Sequence, residues 1–216
     1  MAARARHAEM MTQPFGVILA GGLSRRMGGG DKGLLDLGGA TILSRVIDRL
    51  GPQVDGLAIN ANGDPARFKD RGLPVVADSI GGFAGPLAGV LAGLDWARAN
   101  GASSIVTAAA DTPFFPCDLV PRLLQAGEGM MHPLVLAATR AEDGRLNRHP
   151  TFGLWPVALA DDLRAALADG LRKVVLWTDS HDGRTVEFPT GGIDPFFNVN
   201  TPDDLVAAQA MLKGTA

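Results

Sequence analysis

The 216-residue sequence lacks several features that identify common protein classes. It contains a single cysteine, Cys117, which excludes an intrachain disulfide and a cysteine-built zinc site and favours a reducing compartment, the cytoplasm. No apolar run approaches the roughly 18 residues of a membrane-spanning helix. A basic surplus is also missing, because 20 Lys and Arg stand against 23 Asp and Glu and the net charge is −3. Since phosphate-backbone binding needs a clustered basic surface, we expect neither a nucleic-acid partner nor a membrane.

The chain contains no internal repeat, low-complexity tract or linker that would divide it. Residues 1–14 carry Arg4 and Arg6 but lack the apolar segment of a secretory signal. We therefore expect 1–14 to form a flexible N-terminal extension and 15–213 to form a single domain. The composition, 46% hydrophobic and 20% charged, is typical of a soluble protein with one sizeable core.

Apolar runs alternate with segments of helical spacing along the first half of the chain. Four runs are typical of buried strands: 15–20, 54–59, 73–77 and 104–110. Helical spacing of apolar residues covers 42–50 and 87–94. The second half predicts strands at 134–138 and 152–155, a helix at 161–167 and a helix start at Thr201. This alternation predicts an α/β fold whose mostly parallel central sheet is covered by helices on both faces.

Each of the first four predicted strands stops at a glycine or a polar residue. These residues are Gly21, Asn60, Asp78 and Asp111. In open α/β sheets, ligands bind beyond the carboxyl ends of the strands. We therefore expect the four strand ends to meet at one crevice.

The glycine-rich segment 21–33 is the strongest candidate for a phosphate-binding loop. Its residues 28–33 match the G-x-G-x-x-G pattern, but they begin eight residues after the strand. The second strand also ends on Asn60 where a ribose-binding acid is expected, so a nicotinamide oxidoreductase is disfavoured. A Walker A loop fails because Lys32 is followed by glycine. Backbone amides of glycines next to a strand, together with Arg26 and Lys32, favour phosphate binding over a plain surface loop.

Four segments resemble those of the nucleotidyltransferases related to molybdenum cofactor guanylyltransferase. The sequence LAGGLSRRMGGGDK at 19–32 is similar to the L-A-G-G-x-S-x-R-M-G-x-x-D-K signature. The other segments are Asp78-Ser79 with GPLAG at 85–89, DTPF at 111–114 and FNVNTPDD at 197–204. The last of these, with His-Pro-Thr at 149–151, resembles the guanylyltransferase branch, and the resemblance runs from about residue 17 to 209.

The resemblance implies a three-layer, Rossmann-like nucleotidyltransferase fold. It also implies transfer of GMP from GTP to the terminal phosphate of molybdopterin, which releases pyrophosphate and forms molybdopterin guanine dinucleotide. Mg²⁺ is the implied cofactor, held by Asp111, which together with Lys32 would be catalytic. Transient contacts with proteins that deliver the cofactor or mature molybdoenzymes would be expected. The implied nucleotide-binding residues are Leu19, Ala20, Gly21, Gly22, Arg26, Lys32, Asn60, Asp78 and Asp111, and Asn198 and Asn200 would lie on the pterin side or near the metal.

This chemistry requires no nucleophilic side chain and no general base. The attacking group is a phosphate monoester, which is mostly dianionic at pH 7 because its second pKa is about 6. The protein has to hold two anions in line and neutralise the charge that develops on the leaving pyrophosphate. Mg²⁺ binds through one or two carboxylates plus substrate oxygens and waters, so a single Asp at a strand end is sufficient.

Several of these residues also have a structural explanation. Asp111 before Thr-Pro could form an Asx turn, and Asn60 and Asn62 could be loop residues with left-handed backbone geometry. Asn198 and Asn200 could merely brace the helix that follows. We expect His149, which precedes a proline, to be structural or to orient a substrate.

Functions of other kinds fit the same sequence less well. A cytidylyltransferase for the same cofactor or a sugar-phosphate nucleotidyltransferase would share the fold. Those relatives tend to show Ala-Ala-Gly or Gly-x-Gly after the first strand, where this chain has Ala20-Gly21-Gly22. A non-catalytic nucleotide-binding adaptor would not need Lys32 and Asp111 together.

Overall fold

The computed structural model describes residues 13–21, 32–81 and 85–214. Within these ranges the strands are β1 (Phe15–Leu19), β2 (Leu57–Asn60), β3 (Val75–Val76), β4 (Ser104–Ala109), β5 (Val135–Arg140), β6 (Leu146–Pro156) and β7 (Arg184–Phe188). The α-helices of the same ranges are α1 (Ile42–Leu50), α2 (Pro86–Ala99), α3 (Leu119–Gly127), α4 (Ala160–Ala168), α5 (Val174–Ser180) and α6 (Pro202–Gly214). None of these helices has the length and apolar character needed to cross a membrane.

The strands form one sheet in the order β3-β2-β1-β4-β6-β5-β7. Pairing is parallel between β1 and β2, β1 and β4, β2 and β3, and β5 and β7. Only β6 among the described strands runs against its neighbours, β4 and β5. The predicted α/β fold with a mostly parallel sheet is therefore confirmed. Because β1 to β4 point the same way, their carboxyl ends lie along one edge of the sheet.

Helices cover both faces of the sheet, which makes three layers. Successive residues of a strand point to opposite faces. Accordingly Val17 packs into the core cluster that contains α2, α4 and α5, whereas its neighbour Ile18 packs into the cluster that contains α1 and α3. Both residues have no exposed surface, as expected for a central strand covered on each side.

Some element bounds differ from those predicted. β2 begins at Leu57 rather than at 54, because a 3-10 helix at Gly51–Gln53 extends the turn after α1. The predicted strand 73–77 is reduced to Val75–Val76, and the predicted strand 152–155 is the end of a longer β6. α5 and β7 were missed. α5 has only seven residues, and β7 is an edge strand of mixed polarity.

Candidate functional site

A cavity of about 650 Å³ opens at the carboxyl ends of β1 to β4. Gly21, Asn60, Asp78 and Asp111 all line it, so these strand ends share one crevice as the sequence predicted. Its volume lies within the roughly 300–1,000 Å³ that is typical of small-molecule sites. Further lining residues that the sequence had singled out are Leu19, Ala20 and Asn198.

Two asparagine side chains hold the Asp78 carboxylate. Asn60 Nδ2 donates to Asp78 Oδ1 at 2.8 Å and to the Val76 carbonyl at 3.1 Å. Asn62 Nδ2 donates to Asp78 Oδ2 at 2.7 Å, and the Asp78 backbone N–H donates to Asn62 Oδ1 at 2.9 Å. These bonds tie the end of β2 to the segment after β3 and fix the direction of the carboxylate.

The left-handed explanation for Asn60 and Asn62 is wrong. Among the described residues other than glycine, only Asp182 has a positive φ. Asn60 is instead a buried residue of β2, with 2% of its surface exposed, and its amide is used for hydrogen bonding.

Glycine at position 89 allows α2 to pass close to Asn60. A Cβ there would lie 2.2 Å from Asn60 Oδ1 and 2.9 Å from Leu19 Cδ2, which is too close for either contact. Gly85, which precedes the helix, has a φ of +70° that favours glycine. Gly85, Pro86 and Gly89 also line the cavity. The GPLAG segment therefore brings the first turn of α2 against the ends of β1 and β2.

Asp111 lies partly buried just beyond the end of β4. Its carbonyl accepts a hydrogen bond from the Val199 N–H at 2.8 Å. The hydroxyl of Thr112, a fully buried residue, lies 3.3 Å from Asp111 Oδ1 and is hydrogen-bonded to Asn198 Oδ1. Burial raises the pKa of Asp111, while the charge of Lys32 and the Thr112 hydroxyl act in the opposite direction. A nearby cation stabilises a partly desolvated carboxylate more than it stabilises an exposed one.

Lys32 is held by the segment that leads into α6. Its Nζ donates to Asn200 Oδ1 at 2.9 Å. Asp204 Oδ2 in turn accepts from the backbone N–H groups of Asn200 and Thr201, at 2.9 and 2.8 Å, and Thr201 Oγ1 accepts from the Asp204 N–H. The hydrogen bond from the Asn200 N–H is the main cause that lowers the pKa of Asp204, and the hydrogen bonds from Thr201 and the charge of Lys32 lower it further. Thr201 thus caps α6 as predicted, and this cap supports the partner of Lys32.

The structure brings Asn198 and Asn200 to the Asp111 side of the cavity. Asn198 lines the cavity and reaches Asp111 through Thr112, and Asn200 meets Lys32 directly. Contact of either asparagine with a pterin stays a prediction. Gly22 and Arg26, which were predicted to bind the nucleotide, lie outside the described residues.

His149 occupies a packed position on β6. Its ring stacks on Phe196 with centroids 4.2 Å apart, and its Nε2 lies 2.9 Å from Thr139 Oγ1. Burial lowers the pKa of His149, although the charge of Asp194 acts to raise it. These contacts favour the structural explanation, while Thr151, two residues further along, lines the cavity.

Sequence reasoning missed Arg67 as a site residue and treated Asn62 only as a loop residue. Arg67 lines the cavity from a 3-10 helix, Pro65–Arg71, which joins β2 to β3. Its Nη2 donates to the Asn62 carbonyl at 2.7 Å. The available signal was Asp64-Pro65, because Asp at the N-cap and Pro at N1 start a helix directly after a strand end.

A magnesium ion is compatible with the residues around Asp111. Within the described ranges, no group of three or more His, Cys, Asp and Glu side chains could enclose a metal. Mg²⁺ needs only one or two carboxylates when substrate phosphates and waters complete its shell. Asp111, which lines the cavity and is partly desolvated, fits this requirement.

Comparison with known proteins identifies NTP transferases as relatives of the chain. The MobA-like NTP transferase domain family matches residues 16–182. A protein from Mesorhizobium japonicum named molybdenum cofactor guanylyltransferase is 51% identical over 203 residues, which are 92% of this chain and 95% of that protein.

Solved structures with the same fold include the following two. Molybdopterin-guanine dinucleotide biosynthesis protein A from Archaeoglobus fulgidus has a TM-score of 0.67 and 23% identity, over 93% of this chain and 99% of that one. The CMP:2-keto-3-deoxy-manno-octonic acid synthetase in complex with CTP has a TM-score of 0.72 and 15% identity, over 95% of this chain and 100% of that one. At these identities the likeness shows the shared fold.

Proposed function

The chain belongs to the MobA-like NTP transferase family, and from this premise we propose that it transfers GMP from GTP to the terminal phosphate of molybdopterin. The products are pyrophosphate and molybdopterin guanine dinucleotide. The observation that carries the proposal is the single cavity that joins Asp111 to Asn60 and Asp78 at the ends of parallel strands. The name of the Mesorhizobium japonicum relative, at half identity over nearly the whole chain, supports the choice of substrates.

The strand order separates the two ends of the cavity. Asp111 follows β4 and Asp78 follows β3, and β1 and β2 lie between these strands. Neighbouring strands are about 4.8 Å apart, so the ends of β3 and β4, three spacings apart, are on the order of 14 Å from each other. A nucleotide fits this distance with its phosphates at the Asp111 end and its base at the Asn60 and Asp78 end.

Positive charge at the Asp111 end suits the phosphate chain. Lys32, held by Asn200, would bind phosphate oxygens and offset the charge on the leaving pyrophosphate. Asp111 would hold Mg²⁺, which supplies further neutralisation of the phosphate oxygens when bound.

Transfer is an in-line displacement at the α-phosphorus of GTP. An oxygen of the molybdopterin phosphate forms the new P–O bond, and the bond from the α-phosphorus to the oxygen bridging to the β-phosphate breaks. The electron pair of that bond leaves with pyrophosphate. Because the attacking oxygen is already ionised, no side chain has to accept a proton.

Pyrophosphate release tests the proposal. The full chain is incubated with Mg²⁺, molybdopterin and GTP, CTP, ATP or UTP in turn. We expect release with GTP, its loss in Asp111→Asn, and its retention in Asp95→Asn, which removes a carboxylate paired with Arg164 outside the cavity. Release with CTP and not with GTP would assign a cytidylyltransferase instead. Normal release by Asp111→Asn would remove the metal-binding role.

A further inference from the structure

Arg67 lines the cavity and is linked through Asn62 to Asp78, on the side away from Asp111. Its Nη2 bonds the carbonyl of Asn62, whose side chain is bonded to Asp78. The guanidinium carbon also lies 4.8 Å from the ring centroid of Phe68, which is 1% exposed. These two contacts hold the guanidinium end of a charged side chain that lines the cavity.

The position of Arg67 assigns it to the base rather than to the phosphates. Phosphates at Asp111 and Lys32 would lie beyond the end of β4, which is three strand spacings, on the order of 14 Å, from the end of β3 that precedes Asp78. Arg67 is bonded to Asn62, and Asn62 is bonded to Asp78, so the part of a bound nucleotide within reach of Arg67 is the base.

Guanine presents the edge that an arginine recognises best. Its O6 and N7 are adjacent acceptors, and the planar guanidinium donates to both at once. Adenine offers an amino donor beside N7, and cytosine offers an amino donor at N4, so neither accepts the same pair of hydrogen bonds.

We propose that Arg67 is a specificity-determining residue that donates to O6 and N7 of guanine and selects GTP over ATP and CTP. This inference rests on the proposed function, because it requires a nucleotide bound with its base at the Asp78 end. It goes further in assigning the choice of base to one side chain outside the recognised sequence segments.

Binding of four nucleotides to the full chain tests the inference. Calorimetric titration with GTP, ATP, CTP and 7-deaza-GTP in Mg²⁺ is compared for wild type and Arg67→Ala. We expect the variant to lose about 10- to 100-fold in GTP affinity, with only small changes for ATP and CTP. 7-Deaza-GTP, which lacks the N7 acceptor, should bind wild type more weakly than GTP, and the two should bind Arg67→Ala equally.

Two further variants separate base recognition from charge and folding. Lys69→Ala removes the same charge from the same 3-10 helix, on a side that faces a separate surface depression, and should retain the GTP preference. Arg67→Lys keeps the charge but lacks the planar fork, so it should lose most of the preference while binding ATP as wild type does.

The outcomes distinguish failure of this inference from failure of the proposed function. If Arg67→Ala weakens GTP, ATP and CTP by the same factor, or leaves GTP affinity unchanged, the inference is overturned and the proposed function stands. A wild type that binds no nucleotide, or prefers CTP, overturns the proposed function and the inference with it.

Discussion

The close approach of α2 to Asn60 makes Gly89→Ala a sharp test of the site. Alanine is a better helix former than glycine by about 0.8–1.0 kcal/mol, so the substitution would stabilise an unconstrained helix. At position 89 the new Cβ would start 2.2 Å from Asn60 Oδ1, and ordinary contact begins at 3.4 Å. Asn60 is buried, so its amide cannot retreat to that distance without leaving Asp78 and the Val76 carbonyl.

The size of the effect follows from these two hydrogen bonds. A bond to a charged partner contributes about 1.5–3 kcal/mol, and a buried polar group left without a partner costs about 1–3 kcal/mol. After the gain in helix propensity, we expect Gly89→Ala to lower the free energy of unfolding by about 2–4 kcal/mol. For a chain of this length, that corresponds to a fall in Tm of about 5–15 °C. GTP affinity should fall at least about tenfold, because Asp78 loses one of its two side-chain donors.

Gly93→Ala is the matched control, one turn further along α2. Its Cβ would lie 2.8 Å from Val17 Cγ2 and 3.0 Å from Ile105 Cδ1, inside the core and away from the cavity. It should lower the Tm by overpacking while the folded protein still binds GTP normally. Thermal unfolding followed by circular dichroism and calorimetric titration with GTP measure both effects.

The double variant identifies the atom responsible. In an Asn60→Ala background the group that Gly89→Ala would strike is gone, so the second substitution should be nearly neutral or stabilising. Gly89→Ala with the Tm and GTP affinity of wild type would refute the reasoning. An equal cost of Gly89→Ala in both backgrounds would place the clash at Leu19 instead.

Three further predictions follow from the contacts around the cavity. Because burial raises the pKa of Asp111, the metal-free protein loses stability from this group as the pH rises from below 3.8 through the raised pKa. Asp111→Asn should therefore be more stable than metal-free wild type at pH 7, with a difference in Tm that shrinks towards pH 3; a lower Tm at pH 7 would contradict this. Asn200→Ala removes the acceptor of Lys32 Nζ and should raise the KM for GTP about tenfold, which is less than the increase expected for Lys32→Ala. An unchanged KM in Asn200→Ala would show that Asn200 does not position Lys32. Burial lowers the pKa of His149, so the contribution of this residue to stability is present above pH 6.5 and is lost as the pH falls through the lowered pKa. His149→Gln should abolish that loss in unfolding curves measured between pH 7.5 and 5. The same pH dependence of stability in the variant and in wild type would argue against this.

Several residues of the site were predictable because their signals are local. A buried strand that ends in Asn or Asp is visible within seven or eight residues, and this pattern located Asn60, Asp78 and Asp111. The cap at Thr201 was predictable for the same reason, since its partner Asp204 lies three residues away. The GPLAG segment indicated a constrained helix start, although the contact of Gly89 with Asn60 is visible only in the structure.

The sequence by itself determined the alternation of strands and helices, the four strand ends and, through its resemblance, the family. The tertiary structure decided which of these parts meet. Lys32 and Asn200 are 168 residues apart, and Thr112 and Asn198 are 86 apart, so no local period encodes either contact. The antiparallel insertion of β6 between β4 and β5 likewise depends on long-range pairing. Hydrophobic periodicity specifies which face of an element is buried but not which element packs against it. For that reason the contacts of Asn62, Arg67 and Asn200 are visible only in the folded chain.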